Sequence, residues 1–473
     1  MVLILADDLG YGDVGALNPK SKIPTPNLDR LAEQGMTFTD AHSPSAVCTP
    51  TRYATLTGRY CWRTRLTRGV LGGYSAPLIA AERPTVATML REGGYVTGAV
   101  GKWHLGMNMA RREGGVPKQD RWDGDGNVDF SKPIADGPTT RGFDYYFGVS
   151  ASFDMAPYVW IENNRFTMQP SKQYPGEPFP KFARPGPQAE DVKFDEGLDV
   201  LAEKAAAFVK KHAEGEKPFF LYMPLTGPHK PVVPHSRFIG KTKLGLYGDF
   251  IVNVDDTVGQ VLTAIDDAGI ADDTLVIFTS DNGSFMYRYD KSQEDHVAKP
   301  SVQGYNAENH TANGPFRGTK ADIYEAGHHV PFFVRWPKKV AAGSKCETPI
   351  CHSDIFATAA DVTSTKLNEN VAEDSFSLLP LMLEKADATR PPVIHHSASG
   401  MFAIRDGKWK LIAGNGSGGR EAPKGKPFGL PYQLYDLSND IGETKNLIEQ
   451  EPEVAKRLED KLDEIRSSGR SRN

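Results

Sequence analysis

Short apolar runs alternate with longer amphipathic stretches over most of the chain. The apolar runs are typical of buried strands and cover residues 1–6, 97–101, 218–224 and 274–280. The amphipathic stretches have apolar residues at helical spacing and cover residues 25–35, 85–95, 194–215 and 249–269. This alternation predicts an α/β fold in which a large, mainly parallel sheet is flanked by helices.

The pattern changes toward the C-terminus, where we expect a smaller antiparallel sheet plus a helix. Two strand-like runs are joined by Asp406-Gly407, a dipeptide typical of tight hairpins, and residues 432–437 provide a third strand. A helix is predicted to begin at Pro452, because apolar residues recur at helical spacing after it. We therefore predict two domains with an approximate boundary, residues 1–375 and 376–473.

Composition excludes several classes of partner. The chain has 473 residues and a net charge of -5, and it carries no cluster of Lys and Arg, which argues against nucleic acid or an anionic membrane as a partner. No apolar run approaches the roughly 20 residues of a membrane-spanning helix. The first residues lack the basic segment and cleavage site of a secretory leader, so we expect either a cytosolic protein or one from which a leader has been removed.

Two further features leave alternatives open. The four cysteines are too few for a disulfide scaffold and match no zinc spacing, and Cys346 and Cys351 could either pair or remain free thiols. Three irregular stretches rich in Gly, Pro and charged residues span 107–140, 162–190 and 413–430. Such stretches in an enzyme are often functional loops, with disorder as the alternative.

Pairs of oxygen-bearing residues follow two of the predicted strands. Asp7 and Asp8 end the first apolar run, and Asp281 and Asn282 follow the run at 274–280. Strand ends of a parallel sheet meet at one edge, and carboxylate and amide oxygens suit Ca²⁺ or Mg²⁺. Each pair alone is better explained by a helix cap or an Asx turn. The occurrence of two such pairs makes a metal site as well supported as these local structures.

Basic residues follow other strand ends or lie in glycine-rich turns. Lys102 and His104 come after the run at 97–101 and would point the same way in an extended backbone. His229 follows the run at 218–224, and Lys320 ends a glycine-rich turn. Single residues of this kind are usually solvated, but these positions allow close approach of a ligand.

The stretch "CTPTR" at 48–52 combines a cysteine, a helix-starting proline and an arginine one turn later. Cys48 at a helix N-terminus beside Arg52 would form a pocket for a tetrahedral oxyanion. Cys48 could be a buried apolar residue, half of a disulfide, a thiolate nucleophile or a chemically altered residue. Cysteine-dependent phosphatases use a longer Cys-x5-Arg loop, whereas the spacing here is Cys-x3-Arg.

Several of these segments, in this order, resemble the signatures of the formylglycine-dependent (type I) sulfatases. "CTPTR" resembles the motif C-x-P-x-R, and "GYVTGAVGKWHLG" resembles the second signature. Four other segments are also similar, namely "LILADDLGYGDVG", "GFDYYFG", "FTSDNG" and "GPFRGTK". The resemblance covers most of the chain and implies an alkaline-phosphatase-like fold, with a large α/β domain and a smaller C-terminal one. Two residues depart from the family pattern: Thr51 stands where Ser is common, and His329 stands where Arg is common. Because His329 replaces an arginine, we expect a local ion pair to be missing there.

The resemblance implies a role for each site residue. Cys48 would be the precursor of Cα-formylglycine, made by a separate maturation enzyme, and a hydroxyl of the hydrated aldehyde would attack sulfur. The metal ligands would be residue 48 with Asp7, Asp8, Asp281 and Asn282, and the ion would be Ca²⁺ in preference to Mg²⁺. Positive charge would come from Arg52, Lys102 and Lys320. His229, with Lys320, would assist the leaving group, and His104 would take the proton of the second hydroxyl so that sulfate is expelled.

We therefore predict an arylsulfatase-type sulfatase that acts on a carbohydrate O-sulfate and accepts simple aryl sulfates. His310, Trp103 and Asp154 are predicted to contact the substrate, and Tyr158 and Trp160 could stack on a sugar. The resemblance also implies a periplasmic or secreted location. The alternatives are a phosphonate or phosphodiester hydrolase built on the same site, and a non-enzymatic protein that binds sulfated glycans.

Overall fold

Ten strands of this computed structural model form one large sheet, which confirms the predicted α/β architecture. Residues 1–112, 127–290, 293–385 and 388–472 are described. In spatial order, the strands of the large sheet are β15 (Ser344–Cys346), β2 (Met36–Phe38), β14 (Phe332–Arg335), β11 (Val276–Ser280), β1 (Val2–Asp7), β10 (Phe219–Pro228), β4 (Val96–Lys102), β5 (Tyr145–Val149), β6 (Ile161–Glu162) and β7 (Arg165–Phe166). Three two-stranded pairs are formed by β3 (Ala41–His42) with β16 (Ile350–Cys351), β8 (Lys172–Tyr174) with β9 (Gly186–Gln188), and β12 (Tyr287–Tyr289) with β13 (Gly304–Asn306).

The central strands of the large sheet are parallel. Strand β1 lies between β10 and β11 and is parallel to both, with Val2 opposite Leu221 and Val276. Strand β4 is parallel to β10 and to β5. The carboxyl ends of four strands that carry predicted site residues therefore lie at one edge of the sheet.

Two groups of helices flank the sheet. One group consists of α1 (Pro26–Glu33), α4 (Gly197–Ala213) and α5 (Gly245–Asp267), and the other of α2 (Cys48–Thr57), α3 (Val86–Glu92) and α7 (Asp354–Val362). Helix α4 buries Leu198, Leu201 and Ala205, whose spacing places them on one face. Two shorter helices are α6 (Glu325–His328) and α8 (Leu379–Met382).

The C-terminal part forms the predicted antiparallel sheet and helix. The sheet contains β17 (Val393–His396), β18 (Phe402–Asp406), β19 (Trp409–Ala413) and β20 (Gln433–Asp436), and the helix is α9 (Pro452–Ser467). Leu458 and Leu462 of α9 pack into one cluster with Leu411 and Leu434 of the sheet. A boundary near 375 stays a prediction, and Leu378 packs with the core of the large sheet.

Two features bear on the composition. No helix in the described part of the chain is long and apolar enough to cross a membrane. All four cysteines are free thiols, so Cys346 and Cys351 do not form a disulfide. Of the irregular stretches, 107–140 lies partly outside the described residues, while 162–190 and 413–430 are described throughout.

Candidate active site

The ends of β1 and β11 bring the four oxygen-bearing residues together. Asp7 ends β1 and Asp8 follows it with a φ of 68°, a left-handed conformation that Asp tolerates better than most residues. Asp281 and Asn282 follow β11, which is the parallel neighbour of β1. The Asp8 amide donates a hydrogen bond to Asp281 Oδ1 at 3.2 Å, and Asn282 Nδ2 donates to Asp8 Oδ1 at 2.6 Å.

Each buried aspartate of this group is paired with a buried base. Lys102 Nζ lies 2.6 Å from Asp7 Oδ2, and Lys320 Nζ lies 2.6 Å from Asp8 Oδ1. Arg52 Nη2 lies 2.7 Å from Asp281 Oδ2, and both side chains are inaccessible to solvent. Burial alone would raise the pKa of Asp281, but Arg52 and the two lysines hold it below its usual range.

Two oxygens of the group are available to bind a metal ion. Asp8 Oδ2 and Asn282 Oδ1 are buried and have no hydrogen-bond partner among the described residues. A buried oxygen without a partner costs about 1–3 kcal/mol, a cost that ligation of a cation removes. One ligand atom each of Asp7, Asp8, Cys48 and His229 lies within 4.8 Å of the others. The set is dominated by oxygen donors and therefore fits a hard cation such as Ca²⁺ or Mg²⁺.

Cys48 is the first residue of α2, two positions before the predicted start at Pro50. Its Sγ lies 3.5 Å from both Asp7 Oδ1 and Lys320 Nζ. Burial, followed by the charge of Asp281, raises the pKa of the thiol far above its usual range. Because the thiolate is the nucleophilic form, the protein surroundings of Cys48 disfavour its interpretation as a thiolate nucleophile.

The two histidines of the site are held by backbone carbonyls. His104 Nε2 lies 2.7 Å from the Leu71 carbonyl, and His229 Nδ1 lies 2.7 Å from the Lys230 carbonyl. A carbonyl only accepts, so each of these nitrogens carries the ring proton and the other nitrogen is free of it. Burial lowers the pKa of both histidines well below the usual value, and Lys102 and Lys320 are among the cations that lower them further.

This protonation state bears on the predicted roles of His229 and Lys320. A neutral His229 with an unprotonated Nε2 is a poor proton donor. Burial would lower the pKa of Lys320, but the charge of Asp8, with those of Asp7 and Asp281, more than offsets this and raises it. Lys320 therefore keeps its proton and is the better placed of the two to stabilise a leaving oxygen.

A cavity of about 440 Å³ lies beside these residues. Cys48, His104, His229 and Lys320 line it, whereas Arg52 and Lys102 are fully buried beside it. Other walls are formed by Val47, Gly69, Val70, Asp154, Met155, Phe182, Arg184, Lys230, Ala321, Ala398, Ser399, Gly418, Gly419 and Arg420. Asp154 is ion-paired with Arg184.

Sequence reasoning missed the cavity residues Phe182, Arg184, Lys230 and Arg420. Three of them come from the irregular stretches 162–190 and 413–430. The composition of these stretches indicated functional loops, with disorder as the alternative. No local pattern singled out the individual residues.

Trp103 and His310 do not belong to the cavity lining. Trp103 is buried against Phe143 and Tyr146, and His310 Nε2 lies 2.7 Å from Asp13 Oδ1. Tyr158 and Trp160 are also buried in the core, which leaves their rings no face for a sugar. Of the residues predicted to contact substrate, Asp154 lies on the cavity, and the roles of the other two stay predictions that this geometry does not favour.

His329, where a local ion pair was expected to be missing, has a carboxylate neighbour in this structure. His329 Nδ1 lies 3.0 Å from Glu325 Oε2, and its ring stacks on Phe316 at 4.0 Å between centroids. Its Nε2 lies 2.8 Å from the Thr39 carbonyl. The imidazole therefore provides a partner for the glutamate.

Comparison with known proteins agrees with this geometry. The sequence profile of the family described as Sulfatase matches residues 1–365. An N-acetylgalactosamine-6-O-sulfatase of Bacteroides thetaiotaomicron is 35% identical over 99% of this chain and 93% of its own length. Human arylsulfatase A is 31% identical over 95% of this chain and 83% of its own length. A solved sulfatase structure from work on glycosaminoglycan metabolism in Bacteroides thetaiotaomicron has a TM-score of 0.83 and 33% identity, and the match covers 98% of both chains.

The family profile covers well over half of the chain, and two relatives exceed 30% identity over nearly all of it. The order of the motifs and the charged cluster around Cys48 agree with this match. The chain therefore belongs to the sulfatase family, whose members use a formylglycine and a metal ion, and it is a sulfuric ester hydrolase.

Proposed function

We propose that this protein releases sulfate from a carbohydrate O-sulfate through a formylglycine derived from Cys48. One observation carries the proposal: Cys48 Sγ lies at a cavity wall, 3.5 Å from both the Asp7 carboxylate and the Lys320 ammonium. An oxygen that replaces the sulfur there would face a metal-binding carboxylate on one side and a cation on the other.

The cation would be held by Asp7, Asp8, Asp281 and Asn282 together with residue 48, and we favour Ca²⁺ over Mg²⁺. Hydrated formylglycine would supply the oxygen that attacks sulfur, and the cation would lower the pKa of that oxygen. Dialysis against a chelator is expected to lower both sulfatase activity and melting temperature, because the buried oxygens Asp8 Oδ2 and Asn282 Oδ1 are then left without a partner. Readdition of Ca²⁺ or Mg²⁺ in parallel identifies the ion, and full activity at zero bound metal contradicts the ligand assignment.

The chain's own residues would position the ester and move protons. Lys102 and Lys320 place positive charge beside the sulfate oxygens, where negative charge develops in the transition state. Arg52 holds the strand ends in place, since it binds Asp281 and donates to the Lys102 carbonyl at 2.9 Å. Lys320 stabilises the leaving oxygen. The unprotonated Nδ1 of His104 accepts the proton whose loss expels sulfate.

Two findings support a sugar substrate. The cavity volume falls within the range of small-molecule sites, and its walls mix charged groups with Phe182 and Met155. The relative that is 35% identical is named as an N-acetylgalactosamine-6-O-sulfatase. A terminal 6-sulfated N-acetylgalactosamine is therefore the first substrate to test, with p-nitrophenyl sulfate as the simple aryl sulfate.

The test measures sulfate release by protein in which mass spectrometry confirms formylglycine at position 48. We expect turnover of both sulfate esters and loss of turnover in Cys48→Ser. A phosphodiester and a phosphonate monoester, assayed in parallel, test the alternative hydrolases. The proposal is contradicted if the phosphodiester or the phosphonate is turned over faster than each of the two sulfate esters. Full activity of Cys48→Ser also contradicts it. Sugar binding without sulfate release supports the non-enzymatic alternative.

We also propose that a formylglycine-generating enzyme must act on the chain and that the protein is periplasmic or secreted. Both statements rest on family membership. Production with and without the maturation enzyme tests the first, because only the matured protein is expected to carry the aldehyde. Fractionation of the native host tests the second.

A further inference from the structure

We propose that the active-site cavity contains a subsite, formed by Lys230 and Arg420, for a second anionic group of the same substrate. This inference rests on the proposed function. The group would be a carboxylate, as on a neighbouring uronate, or a second sulfate ester. The preferred substrate would then be an acidic oligosaccharide and not a neutral sugar with one sulfate.

Both side chains line the cavity without an acidic partner. Within the described ranges, neither Lys230 Nζ nor the Arg420 guanidinium has a hydrogen bond or ion pair to another residue. Arg420 Nη1 is buried without a partner, which is costly for a charged donor. Lys230 Nζ lies over the rings of Phe182 and Phe285 at 4.8 and 5.5 Å, so aromatic faces hold it at the wall.

The other charges of the site are already matched. Lys102 is paired with Asp7, Lys320 with Asp8, and Arg52 with Asp281 and, at 3.7 Å, with Asp7. Arg184 is paired with Asp154. Lys230 and Arg420 therefore add positive charge beyond that needed to balance the acidic residues. Their surplus points to an anion on the ligand itself.

The neighbourhood of Lys230 favours an added negative charge. Burial, together with the charges of Arg420 and Lys320, lowers the pKa of Lys230 to about 8. A bound carboxylate or sulfate would relieve this repulsion and stabilise the protonated amine.

Arg420 is fixed relative to the catalytic residues although it comes from the C-terminal part of the chain. The amides of Arg420 and Glu421 donate to Asp322 Oδ1, close in sequence to Lys320. Two backbone hydrogen bonds attach neighbouring segments, from Ile323 to Ser417 at 2.7 Å and from Ala398 to Ala321 at 3.0 Å. These hydrogen bonds hold the segment of Arg420 against the segment of Lys320.

Calorimetric binding to a Cys48→Ala variant, which cannot turn over, tests the subsite directly. The probes are disaccharides with the same 6-sulfated N-acetylgalactosamine linked to a uronate, to the matching neutral hexose, or to a hexose with a second sulfate. We expect at least one dianionic probe to bind on the order of ten- to hundred-fold more tightly than the neutral one. The two dianionic probes distinguish a carboxylate from a sulfate subsite.

Charge-removing variants in the Cys48→Ala background locate the effect. The affinity ratio is the affinity for the tighter-binding dianionic probe divided by the affinity for the neutral-hexose probe. Lys230→Gln and Arg420→Gln are each expected to reduce this affinity ratio about tenfold. Lys424→Gln is the matched control, since Lys424 is an exposed lysine near Arg420 that does not line the cavity. In the Cys48→Ala parent, rising salt concentration is expected to reduce the ratio, a measurement that needs no further variant.

A ratio near one in the Cys48→Ala parent overturns the subsite, as does a ratio that Lys230→Gln and Arg420→Gln both leave unchanged. The proposed function is judged separately, by sulfate release from the neutral-hexose probe by the matured protein. Release with a ratio of one leaves the function intact and rejects the subsite alone. Absence of release from every probe rejects the function.

Discussion

A single backbone carbonyl determines which nitrogen of His104 can react. The Leu71 carbonyl accepts from Nε2 at 2.7 Å, which leaves Nδ1 buried without a partner among the described residues. Burial and the charges of Lys102 and Arg52 lower the pKa of the ring, so it is neutral at neutral pH. The residue is therefore prepared to accept a proton.

The pH dependence of turnover follows from this shift. His104 is active as a base only when it is unprotonated, and its lowered pKa keeps it so below the usual histidine value of about 6.5. We expect kcat to remain constant as the pH falls through 6.5 and to decline only at lower pH. A kcat profile for an aryl sulfate measures this, and an acidic limb centred at or above 6.5 contradicts it.

Substitution of His104 tests the same role by another route. His104→Ala is expected to lower kcat by about 10²–10⁴-fold, because the proton acceptor is lost. His310→Ala serves as the control, since His310 is a buried histidine bonded to Asp13 away from the cavity lining. A comparable loss in both variants contradicts the assignment. A rise in KM for His310→Ala alone would support the predicted contact of His310 with substrate.

At the level of elements, helix α2 holds residue 48 in position. The helix is followed by Gly58, whose φ is 63°, and a Cβ there would lie 2.6 Å from the Ala372 Cβ. Gly269, just after α5, has a similar φ of 67° but no atom within 4 Å of an added Cβ. The two glycines separate the cost of backbone strain from the cost of a steric clash.

Alanine substitution at these glycines should therefore have unequal effects on stability. Gly269→Ala is expected to lower the free energy of unfolding by about 1 kcal/mol through strain alone. Gly58→Ala adds the clash with Ala372 and should cost about 3 kcal/mol. Urea unfolding measures both losses. Equal losses would show that the structure around residue 58 relaxes and removes the clash with Ala372.

Local pattern was sufficient to predict some elements and insufficient for others. Strand β1 and helix α4 could be predicted because their apolar periodicity reports burial directly. Strand β17 was missed because half of its four residues are histidines, although all four are buried. Arg420 reaches the cavity only through contacts between distant segments, such as Ile323 with Ser417, which local sequence does not record.

At the scale of the whole molecule, a buried charged cluster joins the C-terminal sheet to the catalytic part. Lys410 of β19 lies 3.0 Å from Glu325 of α6 and 2.8 Å from Glu443, and all three side chains are at most 1% exposed. The Glu325 amide donates to Glu443 Oε2 at 2.7 Å. Burial raises the pKa of Glu443 to about 7 even with Lys410 beside it.

Removal of Lys410 should therefore weaken the attachment of the C-terminal sheet. Lys410→Met leaves Glu443 buried without its cation and removes the lysine from Glu325, which keeps His329 as a partner. We expect the free energy of unfolding to fall by about 3–5 kcal/mol at neutral pH. Lys408→Met is the control, because Lys408 makes a half-exposed pair with Asp436 and should cost at most about 1 kcal/mol. Denaturant unfolding of both variants gives the comparison.

The pH dependence of the Lys410→Met effect distinguishes buried charge from lost packing. Burial already raises the pKa of Glu443 to about 7 beside Lys410, and loss of that cation raises it further, so the folded variant binds an extra proton more readily than the unfolded chain. The penalty should then diminish as the pH falls through the folded-state pKa of Glu443, which lies above about 7 in the variant, because protonation neutralises this group. Addition of Glu443→Gln should recover part of the loss at neutral pH. A loss that is independent of pH and of Glu443→Gln would show that Lys410 contributes through packing and not through its charge.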